Sequence, residues 1–116
     1  MRIALCLEYP IDQHGGTEIL VSELIGGLSQ QHQIILVSPD TEATLRQSPI
    51  RSLITEHIAF KLDWSSVAAG RELAKKIARL NPDLAHFHFG GNYGWNNRMF
   101  WKCPIFHLSR LGVPCL

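Results

Sequence analysis

Residues 2–18 read RIALCLEYPIDQHGGTE, and the fold turns on them. The segment RIALCLE is a short, nearly continuous apolar run, the pattern of a strand buried on both faces. Tyr9 and Pro10 end it, and a polar loop closes with Gly15 and Gly16. Val21, Leu24, Ile25 and Leu28 then recur at i, i+3, i+4 and i+7, the period of a helix with one buried stripe. Thr17 is the expected N-cap, and Glu18 in the first turn suits the helix dipole. Gly26 and Gly27 weaken the last turns and read as points of close packing on a sheet.

Residues 33–38 (QIILVS) are apolar and rich in β-branched side chains, so they form a second buried strand, closed by Pro39 and Asp40. Residues 41–52 are polar and ambiguous. A weaker third strand lies within residues 53–60, centred on Ile58 to Phe60. Asp63 to Ser66 carry helix-start chemistry, and Gly70, Leu73, Ala74 and Ile77 make the apolar stripe of the helix that follows. Lys75, Lys76 and Arg79 lie off that stripe and should face water. Asn81-Pro82-Asp83 stops the helix, and Leu84 to Phe89 is a fourth strand. Gly90 to Asn97 is a loop. A short helix within residues 98–111 begins or breaks at Pro104 and ends at Gly112, and Val113 to Leu116 opens a fifth strand. Strands alternating with helices imply a parallel sheet covered on both faces. The predicted fold class is therefore α/β, a Rossmann-like doubly wound parallel sheet, with residues 2–8 at its centre and residues 84–89 beside them.

The 116 residues allow one domain, spanning 1–116. A net charge of +1 leaves no imbalance that points to nucleic acid. The three cysteines, Cys6, Cys103 and Cys115, are odd in number and scattered, which fits a reducing compartment such as the cytoplasm better than a disulfide framework. Cys6 reads as a small buried hydrophobe. The run Ile3 to Leu7 is too short for a secretory leader, and no segment approaches the roughly 18 apolar residues of a membrane span.

In an open parallel sheet, ligands bind outside the carboxyl ends of the strands. Two loops there have unusual composition. One is His14-Gly15-Gly16-Thr17-Glu18, where glycines admit a ligand to the backbone and a helix start offers free N–H groups to an anion. It is neither GxGxxG nor a P-loop, and a plain tight turn accounts for it as readily. The other is His86-Phe87-His88-Phe89-Gly90-Gly91. Alternation puts both histidines on one face. His86, deeper in the strand, reads as a hydrogen-bonded core residue, and His88 as the functional one. A metal site from His86, His88, Cys103 and His107 is the bolder alternative, but nothing brings the two pairs together, and none is expected. Glu8, Asp12 and Glu18 offer acid–base chemistry, yet solvated loop and cap roles are expected of them. Trp95 to Lys102 is aromatic and basic; core packing is the expected role, and docking to a membrane interface the alternative.

Taken in order, these motifs resemble those of family 4 glycosyltransferases of the GT-B fold. Gly15, Gly16 and Glu18 match that family's Gly-Gly-X-Glu opening of the first helix. Pro82, Asp83, His86 and His88 match its Pro-Asp-hydrophobic-hydrophobic-His-X-His strand. LGVPCL resembles its Gly-hydrophobic-Pro entry to the next strand. The resemblance implies two Rossmann-like domains facing a cleft, the first binding mainly a sugar or lipid-linked acceptor and the second most of a nucleotide-sugar donor. It carries donor contacts to Gly15 and Gly16, and a place beside the transferred sugar to His88. Backbone N–H groups of Gly16 and Thr17 suit the charge that gathers on a departing diphosphate. The family usually retains anomeric configuration without a metal, so no cofactor is expected, the nucleotide-sugar being a substrate. The resemblance implies that the chain is an incomplete N-terminal half of a GT-B enzyme. The family's acidic donor motif and basic phosphate clamp belong to the other half, so catalysis by this chain alone is not expected. A non-catalytic Rossmann-like module that binds a phosphate or a nucleotide is the alternative.

Overall fold

The structure is a computed structural model that describes residues 1–13, 15–61, 66–88 and 102–116. Strand β1 (Arg2–Leu7) leads into helix α1 (Gly16–Leu28) and strand β2 (Gln33–Ser38). Helix α2 (Glu42–Arg46) and a single 3₁₀ turn (Arg51–Leu53) fill the stretch that was ambiguous in sequence. Strand β3 (Glu56–Ala59), helix α3 (Val67–Arg79), strand β4 (Leu84–His88) and helix α4 (Pro104–Arg110) follow.

The strands form one sheet in the order β3-β2-β1-β4, and every pairing is parallel. Cys115 bridges to Ala85 in the same sense, so the segment after α4 lies along the far side of β4. The expected architecture is thus the observed one: a doubly wound, Rossmann-like parallel sheet with β1 inside it. The order reverses direction between β1 and β4, which makes that junction the topological switch point.

Parallel strands bury both faces, and each face here has its own apolar layer. Leu5, Leu7, Ile34 and Leu36 pack with Val21 and Ile25 of α1 and Leu45 of α2. Ala4, Cys6, Ile35 and Val37 pack with Leu73, Ala74 and Ile77 of α3 and Leu108 of α4. Each fully buried Leu, Ile or Val contributes about 1.5–3 kcal/mol, so these two layers dominate stability.

Local chemistry sets the helix ends. Ser66 caps α3 by accepting from the Ala69 N–H at 3.3 Å. Thr41 and Thr44 make a reciprocal capping box on α2. Pro104 opens α4 at its first turn, where the missing N–H costs nothing. Gly112 follows α4 with φ +83°, a conformation that favours glycine.

Two expectations fail in this frame. Thr17 is not the N-cap of α1; Gly15 is, and Thr17 is the second helical residue. Gly26 and Gly27 do not let α1 pack closely, because a Cβ at either would meet nothing within 4 Å. The close approach lies instead at Gly70, where a Cβ would run into the backbone carbonyl of Lys102 ahead of α4. The loop Gly90 to Asn97 and the stretch Trp95 to Trp101 lie outside the described residues.

Candidate functional site at the carboxyl edge

All four strands run the same way, so their carboxyl ends share one edge. The loop after β1 and the loop after β4 leave that edge from neighbouring strands. Leu7 and His88 are register partners at its brink.

The β1 loop is anchored from the next strand. The buried carboxylate of Asp40, just past β2, accepts the backbone N–H of Ile11 at 3.0 and 3.3 Å. Ser38 donates its hydroxyl to the same carboxylate at 2.6 Å. Ser38 Oγ also lies 3.1 Å from His57 Nε2 on β3. With the serine proton committed to Asp40, the ring nitrogen is the donor, which assigns His57 the Nε2–H tautomer. Burial pushes the His57 imidazole below its ordinary range, against the pull of Asp40. In sequence, Asp40 reads only as the end of a strand. The available signal was a Ser-Pro-Asp triplet leaving a buried strand, but its partners come from positions 11 and 57.

At Gly15 the backbone is extended, and α1 starts at Gly16. Glu18 folds its carboxylate back over Gly15, so a Cβ there would collide with it. Glu18 is only 6% exposed, so the expected solvated role is overturned. It sits in the first turn, where the helix dipole favours negative charge. Gly16 is different: a Cβ there would meet nothing within 4 Å, and the residue is exposed. A helix start leaves its first N–H groups without intrahelical partners, and those of Gly16 and Thr17 are of this kind.

On β4, His86 and His88 lie in register with Leu5 and Leu7, hence on the α1 face of the sheet. Their ring centroids are 4.1 Å apart. Burial runs opposite to expectation. His86, read as the core residue, is half-buried, while His88 is only 9% exposed. His88 Nε2 is buried with no hydrogen-bond partner among the described residues. Burial lowers the His88 pKa to about 4, and His86 beside it adds to the shift. His88 is therefore neutral at physiological pH, with one ring nitrogen a donor and the other an acceptor.

Among the described residues, no three His, Cys, Asp or Glu side chains are grouped to hold a metal ion. Cys6, fully buried, has its thiol pushed far up by desolvation. Among the same residues, no helix is long and apolar enough to cross a membrane.

A parallel sheet that reverses order beside a glycine-opened helix defines a Rossmann-like α/β domain. The family model for Glycosyltransferase Family 4 matches residues 14–114, a span that takes in Gly15, Gly16, Thr17 and His88. The chain belongs to that family. No curated protein and no solved structure matches the chain.

Proposed function

We propose that this domain serves the transfer of a sugar from a nucleotide-sugar donor to a sugar or lipid-linked acceptor, with retention of anomeric configuration. The observation that carries the reading is the orphaned, nine-tenths buried Nε2 of His88 at the switch point, on the strand next to the one that leads into α1. A buried polar atom left unmatched costs about 1–3 kcal/mol, a cost that a ligand hydroxyl can remove. In this reading the N–H groups of Gly16 and Thr17 receive the diphosphate on the open side of Gly16, while Gly15 makes room for the Glu18 carboxylate. Charge gathers on the departing nucleoside diphosphate, so preorganised donors there act on the transition state. A second GT-B domain facing the same edge is the proposed partner for the rest of the donor. The proposed setting is the cytoplasm, peripheral at the membrane where the acceptor is lipid-linked.

The test is calorimetric titration with nucleoside diphosphates and the matching nucleotide-sugars. Gly16→Val fills the open space beside the helix start and should weaken both ligands at least tenfold without lowering Tm. His88→Ala should weaken the nucleotide-sugar by about 1–3 kcal/mol and leave the nucleoside diphosphate unchanged, since the imidazole is assigned to the sugar. Equal losses for both ligands in His88→Ala, or unaltered binding in Gly16→Val, would overturn the assignment.

A further inference from the structure

A groove of about 510 Å³ opens between α1 and α2, starting at the β1 loop. Its floor is apolar: Ile11 and Ile50 are buried, and Ile19 is half-exposed above them. Its walls are polar, with Asp12 from the loop, Ser22 and Glu23 from α1, and Gln47 following α2. Among the described residues these four side chains make no hydrogen bond or ion pair. By contrast Thr44, also in the wall, is committed to the α2 cap.

The floor is held in place. The Ile11 N–H is tied to the buried Asp40 carboxylate, so the loop residue that forms the floor is fixed from behind. The volume falls within the range of small-ligand sites, about 300–1,000 Å³. An apolar floor beneath free carboxylates, an amide and a hydroxyl complements a sugar ring, which presents C–H groups on its faces and hydroxyls at its edge. The two charged side chains, Asp12 and Glu23, are both acidic, and the described lining contains no Lys, Arg or His. Carboxylates accept from sugar hydroxyls and repel anions.

We infer that the α1–α2 groove is a binding site for an uncharged saccharide. Resting on the glycosyl-transfer reading, this makes the acceptor a neutral glycan and places any lipid phosphate outside the groove. The groove starts from the loop that leads to Gly15 and Gly16, so a saccharide in it lies along the approach to the donor edge.

The experiment is an amide-resolved NMR titration of the protein with maltose, cellobiose, lactose and glucose 1-phosphate, with a nucleoside diphosphate as a separate arm. At least one neutral disaccharide should shift Ile11, Ile19, Ser22 and Gln47, and glucose 1-phosphate should bind there at least tenfold more weakly. Gln47→Ala should weaken the neutral ligand several-fold. Glu23→Lys should reverse the preference toward glucose 1-phosphate. Both residues are exposed, so Tm should hold in both variants. If no neutral disaccharide moves these amides, or the wild-type groove prefers the phosphate, the inference fails. The diphosphate arm reads Gly16 and Thr17. Its failure alongside saccharide binding in the groove would sink the donor assignment and leave the saccharide site standing.

Discussion

The two edges of the sheet handle polar groups in opposite ways. At the amino edge, the Arg2 N–H donates to Asp83 at 2.8 Å, Arg2 Nη1 to Gln33 at 3.1 Å, and the N-terminal amine lies 3.1 Å from His32 Nδ1. These contacts are exposed, and water can replace each of them. At the carboxyl edge, Ser38, Asp40, Glu18 and His88 are all buried. Three of them are held by neighbours or the helix start, and His88 keeps an unmatched nitrogen. Exposed polar pairs contribute little to stability, whereas buried polar atoms are costly unless matched. Arg2 Nε at the amino edge is also buried without a partner among the described residues, but it stands among exposed contacts, whereas the His88 nitrogen lies within a buried polar cluster.

The contrast is broken most directly by removing one carboxylate from each edge. Asp40→Ala strands the Ile11 N–H and the Ser38 hydroxyl in the interior and should cost about 3 kcal/mol in urea unfolding. Asp83→Ala removes an exposed acceptor and should cost less than about 1 kcal/mol. Similar losses at the two sites would erase the distinction.

Acid should act at the carboxyl edge first. The His88 pKa falls from 6.5 unfolded to about 4 folded, so the unfolded chain takes up the proton earlier as pH drops. Stability is then intact above pH 6.5, declines by up to about 1.4 kcal/mol per pH unit below it, and levels off near pH 4. His57, also lowered, adds to the slope with the same sign. Replacing His88 with Leu should flatten that part of the profile. An unchanged slope in urea unfolding at stepped pH would show that His88 does not titrate this way.

The smallest effect separates the two glycines at the start of α1. Gly15→Ala displaces the Glu18 carboxylate from its buried seat and should lower stability by about 1 kcal/mol. Gly16→Ala meets open space at the first helical position and should be neutral or stabilising by up to about 0.5 kcal/mol. Thermal unfolding of the two variants would show whether one glycine serves packing and the other access.

Much of this molecule could be read in advance, because strand and helix periods are local. RIALCLE, QIILVS and the Gly70-Leu73-Ala74-Ile77 stripe each declare their structure without knowledge of a partner. What was missed depends on partners distant in sequence. Gly15–Gly16 and Gly26–Gly27 look alike as pairs, and neither pair shows which of its glycines touches anything. Gly70 is confined by Lys102, a residue 32 positions on. The ranking of His86 and His88 was inverted for the same reason. Position along a strand does not give depth in the molecule, which depends on segments distant in sequence.

The sequence by itself determined the alternation of strands and helices, the parallel sheet, and the two loops that had to emerge at its carboxyl edge. Hydrophobic period and turn chemistry act over a few residues and are written directly in the chain. Only the tertiary structure decided that Asp40 grips the loop at Ile11, that Glu18 closes over Gly15, and that His88 rather than His86 is buried with a free nitrogen. Those outcomes rest on which groups lose water together, and that is settled when distant segments meet.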